Sequence, residues 1–129
     1  TINFNKYKDD IFSIIQDRKI ETLFKLNYEL IKKICKILSI ETPIILSSEF
    51  NVNKKREYKL VDLCLKLSCD TYIANNKTFD MVDKELFLNN GIKIIPQNYN
   101  HIRYNQAYNK TKVSWISHLS VIDYLFNKL

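Results

Sequence analysis

The chain has 129 residues, 46% of them hydrophobic and 12% aromatic, with 20 Lys and Arg against 14 Asp and Glu for a net charge of +6. That length suits a single domain, residues 1–129, around one core, and the apolar content excludes a disordered chain. No apolar run approaches the roughly 18 residues of a membrane span, and residues 1–10 lack the apolar centre of a signal peptide, so nothing in the chain directs it out of the cytoplasm.

Two helices are expected first, one over about Lys6 to Gln16, with Ile11, Phe12 and Ile15 on one face. The second runs from about Glu21 to Ser39, where Leu23, Leu26, Leu30, Ile34, Ile37 and Leu38 recur at three to four residues. "PIILSS" then reads as a short buried strand ending at Ser47 and Ser48. "NKKREYKLVDLCLKLS" is an amphipathic helix, "DTYIAN" a β-branched and aromatic strand, and "FDMVDKELFLNN" a helix stopped at Gly91. "GIKIIPQ" is a third strand that Pro96 ends or places at an edge. A long loop, about Asn98 to Ser117, carries His101, Arg103, Tyr104, Gln106 and Tyr108 and leads to a terminal helix with an apolar face.

Strands alternating with helices predict an α/β fold: a small, mainly parallel sheet flanked by helices, with an N-terminal helical pair. In such sheets ligands bind beyond the carboxyl ends of the strands. Those ends fall at Ser47 and Ser48, at Ala74 and Asn75, and at Gln97, with the polar, tyrosine-rich loop following the third. Gly91 is the only glycine, so neither a P-loop nor a glycine-rich dinucleotide fingerprint can be built. The sequence indicates no particular cofactor.

Three cysteines without a CxxC pair argue against a disulfide framework and against a zinc site. Cys35 and Cys64 fall on apolar helix faces and are expected to be buried and unreactive, while Cys69 stands at a helix-to-strand junction. The positive charge is scattered over many segments, and only Lys54, Lys55 and Arg56 cluster. Charge spread in this way gives weak, salt-sensitive attraction, so no nucleic-acid partner is expected.

Four pieces in order, "IILSSEF", "YKLVDLCLKLSCDTYIA", "DKELFLNNGIKIIPQNYNHIRYNQ" and "HLSVIDYLFNK", resemble the WbqC-like protein family. The motif match runs from about Ile40 to Leu129, with a looser likeness before it. It covers the C-terminal part of the family pattern. The N-terminal half, which opens with a Y-x-P-W element, is not found, and Thr1 is not an initiator methionine, so the chain reads as part of a longer family domain. The family is bacterial, and its genes commonly lie among those for O-antigen and other surface polysaccharides, lipopolysaccharide included. The resemblance implies a transferase that moves an acyl or aminoacyl group onto an amino sugar, with a sugar or nucleotide-sugar substrate and no nucleic acid or membrane span. A homo-oligomer, or the family's other half, would complete it. This chain departs from the family at Lys59, at Ala74-Asn75 in place of Ser-Gly, and at Trp115-Ile116-Ser117. Loss of that glycine removes a place for close backbone approach to a ligand.

Several residues then have two readings. His101 is either a general base or a loop histidine bonded to backbone. Tyr99, Tyr104 and Gln106 either bind a sugar or acyl carbonyl or tie down the loop. Ser120 and Asp123 stand as S-x-x-D, close to a capping box, and Asp123 is otherwise a second catalytic group. Asn127 closes the "LS-x-ID-x-LFN" ending as a ligand-binding candidate, and His118 reads as a partly exposed loop residue. Ser47 and Ser48 either bind a ligand oxygen or form the turn after a strand. A Ser48–His101–Asp123 triad is conceivable from residue types alone. The expected arrangement brings His101, Tyr104 and Gln106 onto a cleft floored by Asp123. The competing function class is a non-catalytic binding or interaction module.

Overall fold

A computed structural model describes residues 3–107 and 115–128. The chain divides into two compact units, one of residues 1–44 with 101–129 and the other of residues 45–100. Tyr108, counted above with the polar loop, lies outside the described residues.

In the first unit the apolar periodicity produces α1 (Phe4–Ile15) and α2 (Leu23–Ile37), close to the expected spans. Thr22 starts α2 two residues later than expected because its extended backbone lets Oγ1 accept from the Lys25 N–H at 3.2 Å. The terminal helix is α6 (Val121–Lys128), and it packs on α1. Ile11 and Leu125 are fully buried there, and the Phe4 ring meets Phe126 edge-on at 5.1 Å. The Asn3 N–H donates to the Phe126 carbonyl at 3.2 Å. On the other side α1 packs on α2, helped by Lys33 Nζ and Asp10 Oδ1 at 2.8 Å. That pair is partly exposed and contributes little. Leu26, Leu30, Ile34 and Ile37 are half-buried as expected, but Leu23 is 72% exposed.

The second unit holds α3 (Arg56–Lys66), β1 (Thr71–Ala74), α4 (Asn76–Met81), α5 (Lys84–Asn89) and β2 (Lys93–Pro96). The strands pair in parallel, Thr71 with Lys93 through to Ala74 with Pro96. The ladder is extended at both ends, by Lys93 N–H to Asp70 O at 2.7 Å and Gln97 N–H to Ala74 O at 2.8 Å. Val61, Cys64, Phe87 and Ile92 form the core, with Tyr72 stacked on Phe87 at 5.5 Å. Full burial of a side chain the size of Phe87 or Ile92 contributes about 1.5–3 kcal/mol. The chain is thus a small α/β fold.

Two expected elements differ. "PIILSS" is not a strand: residues 40–46 carry no regular structure and Ser47–Glu49 is a 3-10 turn. Pro43 has no N–H to give a ladder, and Ile44 and Ile45 are exposed, so a short apolar run without a pairing partner stays irregular. The helix expected over "FDMVDKELFLNN" is two helices. Asp83 interrupts it because its Oδ1 accepts from the N–H groups of Glu85 and Leu86, at 3.0 and 3.3 Å, and so starts α5 anew.

Three helices end alike. Ser39, Ser68 and Gly91 adopt left-handed backbone with φ of 54°, 53° and 71°. In each case the next residue donates back five positions: Ile40 to Cys35 and Cys69 to Cys64 at 2.8 Å, and Ile92 to Phe87 at 3.0 Å. Only one of these turns uses glycine, the residue that adopts this conformation without strain. The caps also locate the cysteines. Cys64 is buried as expected, Cys69 is exposed, and Cys35 is only half-buried, beside a groove with Lys32 and Lys36.

Candidate functional site

The residues expected to form a site fall in both units. Ser47, Ser48 and Tyr99 belong to the second, where all three are exposed. Ser47 and Ser48 open the 3-10 turn, with the Ser47 carbonyl accepting from the Phe50 N–H at 3.4 Å. Beyond the ends of the two strands, asparagines cap and tie the chain. Asn75 Oδ1 accepts from Thr78 N–H at 2.8 Å, starting α4, and Asn76 Oδ1 accepts from Asn98 N–H at 3.3 Å. Asn75, where a glycine would allow close approach, is therefore a helix cap.

The first unit gathers the rest. Asp123 and Asn127 stand four residues apart, on one face of α6. Asp123 Oδ2 accepts from the Tyr104 hydroxyl at 2.6 Å, and its Oδ1 accepts from Asn127 Nδ2 at 3.2 Å. Asn127 also donates to the Asp123 carbonyl at 2.8 Å and accepts from the Ala107 N–H at 3.0 Å. Gln106 clamps the backbone of Ile116 with both ends of its amide, donating to the carbonyl at 2.7 Å and accepting from the N–H at 2.9 Å. The loop is thereby fastened to α6 and across to the segment that precedes it. Ser120 completes half of the expected capping box, its Oγ accepting from Ile122 N–H at 3.3 Å, while the Asp123 carboxylate turns to Tyr104 and Asn127.

Tyr104 is half-buried, with the Tyr124 ring edge-on at 5.2 Å. Burial first, then the hydrogen bond and the charge of Asp123, hold its hydroxyl above the ordinary phenol range, with a hydrogen bond from Gln106 acting in the opposite direction. The phenol therefore stays protonated and serves as a donor, with Asp123 as its acceptor.

Beside this fastening lies a second cluster. The chain has only two histidines, and the His101 and His118 ring centroids are 3.9 Å apart. His118 Nδ1 lies 2.8 Å from Ser117 Oγ, and its backbone is left-handed at φ 62°. Strain of that kind in a non-glycine residue persists where surrounding contacts over-determine it, and it concentrates at functional sites. The Trp115 ring stands 6.4 Å from that of His101, and the Arg103 guanidinium lies 5.4 Å over the indole. Trp115 Nε1 is buried without an acceptor among the described residues, an arrangement that costs about 1–3 kcal/mol unless an acceptor is supplied. Arg103, Tyr104, Asn105 and Trp115 line a cavity of 250 Å³.

This cluster can present one fixed cation, two imidazoles and an unmatched indole N–H to an anionic or carbonyl-bearing ligand. Among the described residues no three His, Cys, Asp or Glu side chains gather as metal ligands. Arg103, Trp115 and His118 were not singled out as site residues from the sequence. The available signal was composition: the single tryptophan and both histidines fall within or next to one irregular stretch. No helix among the described residues is long and apolar enough to cross a membrane.

A sequence model of the WbqC-like protein family matches residues 1–129. The chain belongs to that family, and the match takes in α1 and α2 as well as the motifs from Ile40 onward. No curated protein and no solved structure matches the chain.

Proposed function

We propose, on the premise of that membership, that the chain acts in bacterial surface-polysaccharide assembly, transferring an acyl or aminoacyl group to the amine of a nucleotide-linked amino sugar. The observation that carries the reading is the 250 Å³ cavity lined by Arg103, Tyr104, Asn105 and Trp115, with the His101 ring beside Trp115. Arg103 is the group suited to a phosphate oxygen, because its guanidinium is always charged and forks. The buried Trp115 N–H supplies a donor to a sugar or acyl oxygen. His101 is the base: an amine attacking an activated carbonyl becomes an ammonium, and the imidazole takes its proton as the leaving group departs.

Asp123 acts at one remove. Both of its oxygens are engaged, so it positions Tyr104 rather than accepting a proton from substrate. Gln106 and Asn127 hold the loop in place. Ser47, Ser48 and Tyr99, exposed hydroxyl-bearing groups of the second unit, remain candidates for binding a sugar within that unit. The site is proposed to work in the cytoplasm, where nucleotide-linked sugars are made.

A second reading, a binding module without catalysis, is favoured by the engagement of Gln106 and Asn127 with backbone and neighbouring side chains. One pair of variants separates the two. Binding of UDP- and dTDP-linked amino sugars is measured by calorimetry, and transfer of labelled glycine from an activated donor is followed in parallel. Arg103→Ala is expected to weaken binding, and His101→Ala to abolish transfer while binding persists. Binding without transfer by the unaltered protein favours the module, and absence of both overturns the proposal.

A further inference from the structure

The left-handed cap of α3 brings two cysteines together. Cys64 lies in the last turn of the helix, Ser68 reverses the chain with φ 53°, and Cys69 donates its N–H to the Cys64 carbonyl at 2.8 Å. In this type of cap the side chains at those two positions commonly meet. The two sister caps place Cys35 with Ile40 and Phe87 with Ile92 at the same positions, so each brings at most one thiol. Only the α3 cap carries two. A hydrogen bond that closes six residues onto one another holds their Cα atoms close, and a disulfide spans about 4.4–6.8 Å between Cα atoms.

We propose that Cys64 and Cys69 form an oxidisable dithiol, a modification site that hydrogen peroxide closes into a disulfide across the end of α3. Exposure differs along the pair: Cys69 is exposed and Cys64 is buried. Burial first, then the neighbouring Cys69, raises the Cys64 thiol above its ordinary range, so Cys64 is the poorer first nucleophile. The Cys69 thiolate attacks one peroxide oxygen. The O–O bond breaks, hydroxide leaves and is protonated to water, and Cys69 becomes a sulfenic acid. The Cys64 sulfur then attacks the Cys69 sulfur. An S–S bond forms, the sulfenic hydroxyl departs, and with the Cys64 proton it becomes a second water. Two thiols give up two electrons and two hydrogens, and one peroxide becomes two waters. The product clips α3 to the residue before Asp70, whose carbonyl begins the β1–β2 ladder.

The chain's own lysines make the test direct. Trypsin cuts after Lys59, Lys66 and Lys77, which puts Cys64 and Cys69 in different peptides. Native protein is treated briefly with hydrogen peroxide, remaining thiols are alkylated, and the digest is read by mass spectrometry. The expected product is residues 60–66 linked to residues 67–77, two hydrogens lighter than the free pair and released by dithiothreitol. Free thiols should fall from three to the one of Cys35. Cys35→Ser should cross-link as the parent does, and Cys69→Ser, at an exposed position, should yield no linked pair. Three outcomes overturn the proposal: both peptides alkylated after peroxide, Cys69 carried on to sulfinic acid beside a free Cys64, or linkage that forms as readily in urea as in the native protein.

Discussion

The two units are held together by different means. Residues 45–100 form an unbroken stretch whose parallel strands are joined through α4 and α5, and its core is an apolar cluster around Phe87. The other unit is assembled from the two ends of the chain. It has a small core at Ile11 and Leu125, and residues 104–107 are held by hydrogen bonds that the Tyr104, Gln106 and Asn127 side chains donate or accept. The contrast bears on where a fixed polar arrangement can form. Apolar packing is non-directional and tolerates small shifts, whereas hydrogen bonds fix angles. A polar loop held in this way presents His101 and Arg103 in a defined arrangement.

Truncating Phe87 should break the second unit most severely. Phe87→Ala removes a fully buried ring that stacks on Tyr72, and such losses cost about 3–5 kcal/mol. Urea unfolding measures this, and amide exchange should show protection lost first across β1 and β2. A cost under about 1 kcal/mol would mean that Phe87 does not hold the core.

Asp123→Ala is the corresponding break in the first unit. It removes the acceptor of the 2.6 Å bond from Tyr104 and one partner of Asn127. Loss of a charge-assisted hydrogen bond of this kind costs about 1.5–3 kcal/mol. The Tyr104 phenol should then titrate lower, toward its ordinary value of 10.0, in an ultraviolet titration.

Alkaline pH tests both units at once, with a smaller effect per group. The Cys64 thiol is raised from 9.0, and the Tyr72 and Tyr104 phenols from 10.0, in each case by burial first. The unfolded chain therefore releases these protons before the native protein does. Their contribution is fully present below pH 9 and is lost as pH rises through the native values. The urea midpoint should hold steady to that point and then fall, and Tyr104→Phe should remove part of the fall.

The smallest effects belong to the helix caps. Ser39→Gly in one unit and Ser68→Gly in the other should each stabilise by a few tenths to about 1 kcal/mol, as relief of left-handed strain outweighs the added freedom of the unfolded chain. Gly91→Ala should do the reverse by about 1–2 kcal/mol. No atom lies within 4 Å of the added Cβ there, so that cost is conformational.

Local pattern made much of the fold legible. The periodic apolar stripes gave α1, α2, α3 and α6 to within a few residues, and β-branched runs gave β1 and β2. Where the pattern failed, a competing local or pairing effect prevailed. "PIILSS" has a strand's composition but no partner, and Asp83 divides a helical run because its carboxylate caps from within. The loop's polar residues were visible as candidates, yet their roles were not. Which amide clamps Ile116, and which carboxylate receives Tyr104, depends on residues 10 and 19 positions away.

Residue order and spacing along the chain were enough for most element types, the parallel pairing of β1 with β2, the apolar faces and the family, because each of these is set locally. Long-range packing sets that His118 meets His101, that Arg103 lies over Trp115, and that Asp123 orients Tyr104 instead of closing a capping box. The physical reason is range. Helix and strand periodicities are set within a few residues, whereas a directional contact across a loop exists only once the ends of the chain have packed on α1 and fixed where each side chain points.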